Sequence, residues 1–167
     1  MDSEAQTSDH CAAKVDKLMR HISNVQESCL LLGKKLIEKG EIEFGIRLIA
    51  LGQIHDASKW QGIEYNYLII PPSNSNGSLA LTIKHHQKTN RHHIEYWGDA
   101  SEMPRLYVAE MCCDLHARAT EFGTNVWDYI KEDFMPKYNI PKNGKMYKLI
   151  KEFLDLLLDK PFQKIEN

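Results

Sequence analysis

Residues 15–36 read VDKLMRHISNVQESCLLLGKKL. Apolar residues recur there at Val15, Leu18, Ile22, Val25, Cys29, Leu32 and Leu36, in alternating steps of three and four. That rhythm is one buried stripe on a long helix. Ser8 or Asp9 can cap its start by accepting a backbone N–H, and Gly40 is a suitable stop. His21 lies beside the stripe, so it points along the edge of a core rather than into open water. The stripe suits a homodimer seam as well as an intramolecular core.

Downstream the same period returns. A second helix is expected over 41–59, with Ile42, Ile46, Ile49, Ala50 and Ile54 as its inner face and His55 and Asp56 in its last turns. A shorter helix over 61–70 ends at Pro71-Pro72, because the residue before a proline avoids helical geometry. Residues 73–78 form a polar loop, either a tolerated connection or a lid near a site. A third main helix starts near Leu79, where Leu79, Ile83, His86 and Asn90 share a face and His85 is rotated from it. A short turn then carries His92, His93, Tyr96 and Trp97. Pro104 opens a helix that runs to about Phe122, with Val108, Met111, Cys112, Leu115 and Ala119 as core and Asp114 beside them. Gly123 ends it, and Thr124 can cap a helix over 125–132. A linker bounded by Pro136 and Pro141 follows. The last amphipathic helix carries Met146, Leu149, Ile150, Phe153, Leu156 and Leu157, and Pro161 stops it. No segment shows a period of two and nothing repeats. The expected fold is all-α, with six or seven helices in one domain over 9–167 after a disordered stretch 1–8.

Bulk composition narrows the function classes. At 167 residues one domain is the natural reading. The net charge of −2 supplies no global field for nucleic acid or an anionic membrane, and no basic face with interleaved aromatics points to nucleic acid. Any anion site must therefore be local. Cys11, Cys29, Cys112 and Cys113 form no CxxC pair, which fits reduced thiols in a reducing compartment. The polar first residues hold no apolar signal core, and no run approaches the ~18 apolar residues that cross a bilayer. A cytoplasmic, soluble protein is expected.

The polar residues at the core edge carry the chemistry. In order they are His21, then His55-Asp56, then His85-His86, then His92-His93, then Asp114. Imidazoles and carboxylates converging from separate helices are how bundles build metal sites. Such a donor set suits Mn, Fe, Co, Ni, Zn or Mg, as one ion or two. A metal there would bring the pKa of a water towards neutrality. Lys59, just after Asp56, would stabilise charge on a phosphoryl oxygen.

The order His21, His55-Asp56, Asp114 on an all-helical chain resembles the HD-domain superfamily of metal-dependent phosphohydrolases. His55-Asp56-Ala57-Ser58-Lys59 is similar to the His-Asp-x-Gly-Lys form of its central motif, with Ser58 in place of Gly. The resemblance implies metal ligation by His21, His55, Asp56 and Asp114. Members with two metals add two histidines between the central pair and the last Asp. Here those would be His86, favoured over His85 by its helix face, and His92, with His93 the close alternative. His85, His93, Arg91, Arg118 and Lys59 would then contact substrate, with Lys59 and Asp56 acting in catalysis. Members that cleave nucleotides with one metal place a Glu where Lys59 stands, so their substrate does not transfer. The stretches His21-Ile22-Ser23-Asn24-Val25 and Asn90-Arg91-His92-His93-Ile94-Glu95-Tyr96-Trp97 also resemble a less characterised, HD-like family of short bacterial and phage proteins.

Blander alternatives exist for each part. Asp114 can pair with Arg118 four residues on, the four histidines over 85–93 can form a solvated turn, and Arg91 and Arg118 can be solvated charges. His10 and His116 are not expected to take part. Three functions follow. The first is a phosphohydrolase acting on a nucleotide or another small phosphate ester. The second is a di-iron oxygenase on the same scaffold, and the third a non-catalytic helical interaction protein.

Overall fold

The computed structural model describes residues 2–70 and 78–159, with side chains from residue 9 onward. The described chain is all-α, as expected from its periodicity. Helix α1 (Asp2–Glu38) packs along α2 (Ile42–Gln53) and against α6 (Arg105–Phe122), and α6 also contacts α9 (Lys145–Leu158). Shorter segments complete the domain: α3 (Gly62–Leu68), α4 (Leu79–Thr89), α5 (Ile94–Trp97), α7 (Val126–Tyr129) and α8 (Met135–Lys137).

α1 begins at Asp2, ahead of the start expected at Ser8 or Asp9. Its stripe is buried as the spacing requires, with Val25, Cys29, Leu32 and Leu36 at 0% exposure. Gly40, at φ 92°, turns the chain. The Gly40 and Glu41 N–H groups donate to the Ile37 and Leu36 carbonyls at 2.9 Å, closing the helix end. α2 then returns antiparallel, and the two backbones meet at glycines. A Cβ on Gly33 would lie 2.5 Å from Ile49 Cγ1 and 2.8 Å from the Gly45 carbonyl.

That close approach rotates α2 away from its expected orientation. Gly45, Leu48 and Gly52 are its buried residues. Ile42, Ile46 and Ile54, expected on the inner face, are exposed. The inner side is selected by how near α1 can come, and the small residues allow the nearest contact. α4 differs in the same way: Leu79 and Ile83 are exposed and Thr82 is buried.

α6 is the central helix. Residues 108–113 are buried all round, between α1, α2 and α9. From α9, Ile150, Phe153 and Leu154 are fully buried against it. Phe153 stacks on Phe44 of α2, with the Arg105 guanidinium 4.4 Å from the Phe44 ring centre. Pro136, expected to bound a linker, instead lies within a helical path. A π turn over Ile130–Phe134 precedes it and accommodates its missing N–H.

All four cysteines are free thiols. Among the described residues no helix is long and apolar enough to cross a membrane. The loop assigned to 73–78 lies outside the described residues except for Ser78, which caps α4 by accepting from the Leu81 N–H at 3.2 Å. Pro161 also lies outside them.

Candidate metal centre

α2 ends at Gln53, earlier than the sequence period indicates. Ile54, His55 and Asp56 form a turn, and Ala57–Trp60 is a short 3-10 helix. The expected place of His55 and Asp56 in the last turns of that helix is therefore corrected. Asp56 takes a left-handed conformation, φ 56° and ψ 23°, which swings its carboxylate into the interior. It is 2% exposed.

Around Asp56 the chain gathers residues from four further places. Its Oδ2 lies 3.7 Å from His21 Nε2 (α1) and 3.5 Å from His55 Nε2. Its Oδ1 lies 3.4 Å from His86 Nε2 (α4) and 3.5 Å from His92 Nε2, just before α5. From α6, Asp114 Oδ1 lies 3.2 Å from His21 Nε2, and its Oδ2 lies 4.0 Å from His92 Nε2. One carboxylate thus presents one oxygen to each of two imidazole pairs.

The residues fit a metal on two counts. Among the described residues eight buried side-chain polar atoms have no hydrogen-bond partner, and six belong here: Nε2 of His21, His55, His92 and His93, Oδ1 of Asp56 and Oδ1 of Asp114. Buried polar atoms are ordinarily satisfied, so this concentration marks a place where something else supplies the partner. The spacing also fits. Ligand atoms bound about 2.1 Å from one ion stand about 3.0–3.4 Å apart, close to most of the separations above. In three trios the candidate ligand atoms all lie within 4.8 Å of one another: His21, His55 and Asp56; His55, His92 and Asp114; and His86, His92 and His93. These clusters could hold a metal ion.

A second layer of carboxylates orients the imidazoles. Glu110 Oε1 sits 3.1 Å from His55 Nδ1 and 3.4 Å from His92 Nδ1. Glu121 Oε1 sits 2.8 Å from His21 Nδ1. The fully buried Glu64 sits 2.8 Å from His86 Nδ1. A carboxylate at Nδ1 holds the proton there and leaves Nε2 free to ligate. Sequence reasoning missed all three glutamates. A signal existed for two: Glu110, Asp114 and Glu121 fall four and seven residues apart, on one face of α6. Ser58, which stands where the central motif usually has Gly, has a role in this layer. Its hydroxyl donates to Glu64 at 3.0 Å and accepts from Asn90 Nδ2 at 2.8 Å.

Electrostatics follow the geometry. Burial pushes the Asp56 carboxyl up, but His55, Lys59, His86 and His92 outweigh it and hold it well below the carboxylate range. Asp114 is depressed likewise, burial being overcome by His21, His55 and His92. Burial lowers His93 to about 3, with His92 and His86 acting the same way. For His55 burial is overcome by Glu110, Asp56 and Asp114, and its pKa is raised.

Not every expected site residue joins the cluster. His21, His55, Asp56, His86, His92 and Asp114 are brought together. His93, expected at the substrate, lies with them, its ring 4.3 Å from His92 and 4.6 Å from His86. Lys59 pairs with Asp56. Asp114 meets the histidines, and it is Glu121 that pairs with Arg118, at 3.3 Å. His85 does not join the cluster: it is exposed, one position round α4 from His86, and its Nδ1 lies 2.7 Å from Glu64 Oε1. Arg91 does not join it either: it is exposed and donates to Tyr107 Oη at 2.8 Å. His10 is exposed, and His116 Nδ1 meets the Ser28 hydroxyl at 3.0 Å.

Fold and cluster together define an all-α protein with a buried His/Asp centre able to hold metal. The chain belongs to the Family of unknown function (DUF5662), whose model matches residues 11–156. No curated protein and no solved structure matches it.

Proposed function

We propose that this chain is a metal-dependent phosphohydrolase of HD-domain type, acting on a nucleotide or another small phosphate ester. The observation that carries the reading is Asp56, whose two oxygens face separate imidazole pairs beside a cationic cavity. His21, His55, Asp56 and Asp114 would hold one divalent ion. His86, His92 and Asp56 would hold a second, with His93 available as a further imidazole. Ions at such a site supply Lewis acidity and a water that is nucleophilic near neutral pH.

The remaining work falls to this chain's own side chains. Lys59 and Arg118 line a cavity of about 350 Å³ that has His21 in its wall. Their charges bind and orient the phosphoryl oxygens as negative charge builds on them. Burial of His21, His55, His92 and Asp56 keeps bulk water from competing for the reacting centre. Glu110, Glu121 and Glu64 keep the imidazole protons on Nδ1 and the rings aimed inward.

The mixed imidazole and carboxylate donor set also suits iron, which keeps a di-iron oxygenase as the second reading. The discriminating experiment assays a panel of nucleotides and sugar phosphates with Mn, Co, Ni, Mg, Zn or Fe, with and without oxygen. Phosphate release independent of oxygen is the expected result. No turnover under any of these conditions would contradict hydrolysis, and an oxygen-dependent reaction with iron would establish the second reading instead.

A further inference from the structure

The cavity beside His21 holds more positive charge than one phosphoryl group needs. Lys14, Lys17, Lys59 and Arg118 all line it, and among the described residues no carboxylate does. This is notable in a chain whose net charge is −2. Lys59 and Arg118 have carboxylate partners in Asp56 and Glu121. Lys14 and Lys17 have neither a hydrogen bond nor an ion pair among the described residues. Two uncompensated ammonium groups in one concavity with two more cations repel one another unless an anion joins them.

Their placement is directional. Lys17 and Lys14 precede His21 by four and seven residues on α1, so the three share a face. At 1.5 Å per residue they stand about 6 and 10 Å from His21 along the helix axis. Positive charge therefore extends in a line leading away from the histidine cluster. Tyr67 and Leu18 contribute aromatic and apolar wall to the same cavity, which suits an organic group.

Resting on the phosphohydrolase reading, we propose that the substrate is a small organic di- or triphosphate. One phosphoryl group would sit at the metal centre between Lys59 and Arg118, and the further phosphates would be held by Lys17 and Lys14. The lysines are then specificity residues for chain length of the phosphate, with no part in bond cleavage.

The test compares wild type with the Lys14→Ala/Lys17→Ala double variant, with free Mn²⁺ buffered. Calorimetry measures binding of pyrophosphate and of orthophosphate, and kinetics measure a nucleoside triphosphate against a simple aryl monophosphate. The variant should keep its melting temperature, since Lys17 is exposed and Lys14 only partly buried. Expected is a loss of about tenfold or more in pyrophosphate affinity and a matching rise in KM for the triphosphate, with orthophosphate and monophosphate within twofold. Equal losses for all four ligands, or no loss for any, would overturn the assignment. The two levels separate cleanly. Selective pyrophosphate binding without hydrolysis would keep the lysine site and remove the hydrolase reading. Hydrolysis indifferent to the variant would do the reverse.

Discussion

Asp56 holds φ 56°, a conformation that costs a non-glycine residue on the order of 1–2 kcal/mol. The cost is tolerated because the turn places both carboxylate oxygens among the histidines, and such local strain commonly sits at functional sites. Asparagine accepts the same backbone conformation and nearly the same volume. Asp56→Asn should therefore fold, with an unchanged far-UV spectrum, yet lose metal binding by at least tenfold. Metal affinity equal to wild type would show that the carboxylate is not a ligand. Glu110 offers a second test at this scale, because one of its oxygens faces two histidines of the cluster, His55 and His92. Replacing such an orienting carboxylate typically costs 10–100-fold in metal affinity or activity. Glu110→Gln should lose about that much in a metal titration, and an unchanged titration would remove its assigned role. The adjacent His-Asp pair and its distant partners were readable because imidazoles beside apolar stripes are unusual. Glu110 was not, since an acidic residue on a helix ordinarily faces solvent and only packing revealed its burial.

At the scale of elements, the α1–α2 crossing positions α2, and the turn carrying His55 follows directly on its end. Gly45 faces the Gly33 carbonyl so closely that a Cβ there would also meet Ile37 Cγ1, at 2.7 Å. Gly45→Ala must push the helices apart, and overpacking of this kind costs about 1–3 kcal/mol. Urea denaturation should show a lower midpoint with an unchanged slope, and a midpoint equal to wild type would mean the crossing is looser than its geometry. The sequence period located both helices but chose the wrong side of α2. Ile42, Ile46 and Ala50 outline a stripe as convincing as Gly45, Leu48 and Gly52, and hydrophobicity alone cannot register that glycines permit a closer neighbour.

A polar tie reinforces the same region. Arg105 of α6 joins Glu41, at the start of α2, to Glu152 of α9. The hydrogen bond from Arg105 lowers the Glu41 carboxyl below its ordinary value, against the opposing effect of burial. A depressed carboxyl stabilises the fold above its unfolded value, near 4.5, and that contribution fades as pH falls through the lower folded value. Glu41→Gln should accordingly be less stable than wild type at pH 7, by under about 1 kcal/mol for a pair this exposed. The gap should narrow towards pH 3, and a gap that widens on acidification would have the wrong sign.

For the molecule as a whole, the centre joins α1, the turn after α2, α4, the approach to α5, and α6. A ligand bound to the folded state alone stabilises it by about 2.7 kcal/mol at one hundred times its dissociation constant. For a domain of this length that is a rise of about 5–11 °C in melting temperature. Calorimetric scans with and without Mn²⁺ should show it in wild type and not in a His55→Ala/Asp56→Ala variant. A rise of equal size in both proteins would place the ion elsewhere. The all-α class and the residue types of the cluster were legible because helical period and residue chemistry are local properties. That Asp56 faces two clusters, and that Lys14 and Lys17 share a cavity with Lys59 and Arg118, depends on how distant helices meet.

Elemental analysis of the protein as purified, and after equilibration with Mn²⁺ or Fe²⁺ and gel filtration, tests the central claim most directly. One or two ions per chain should remain in wild type and in His10→Ala, and none in His55→Ala/Asp56→Ala. Metal-free wild type after that loading, or the same content in all three proteins, would contradict the assigned centre.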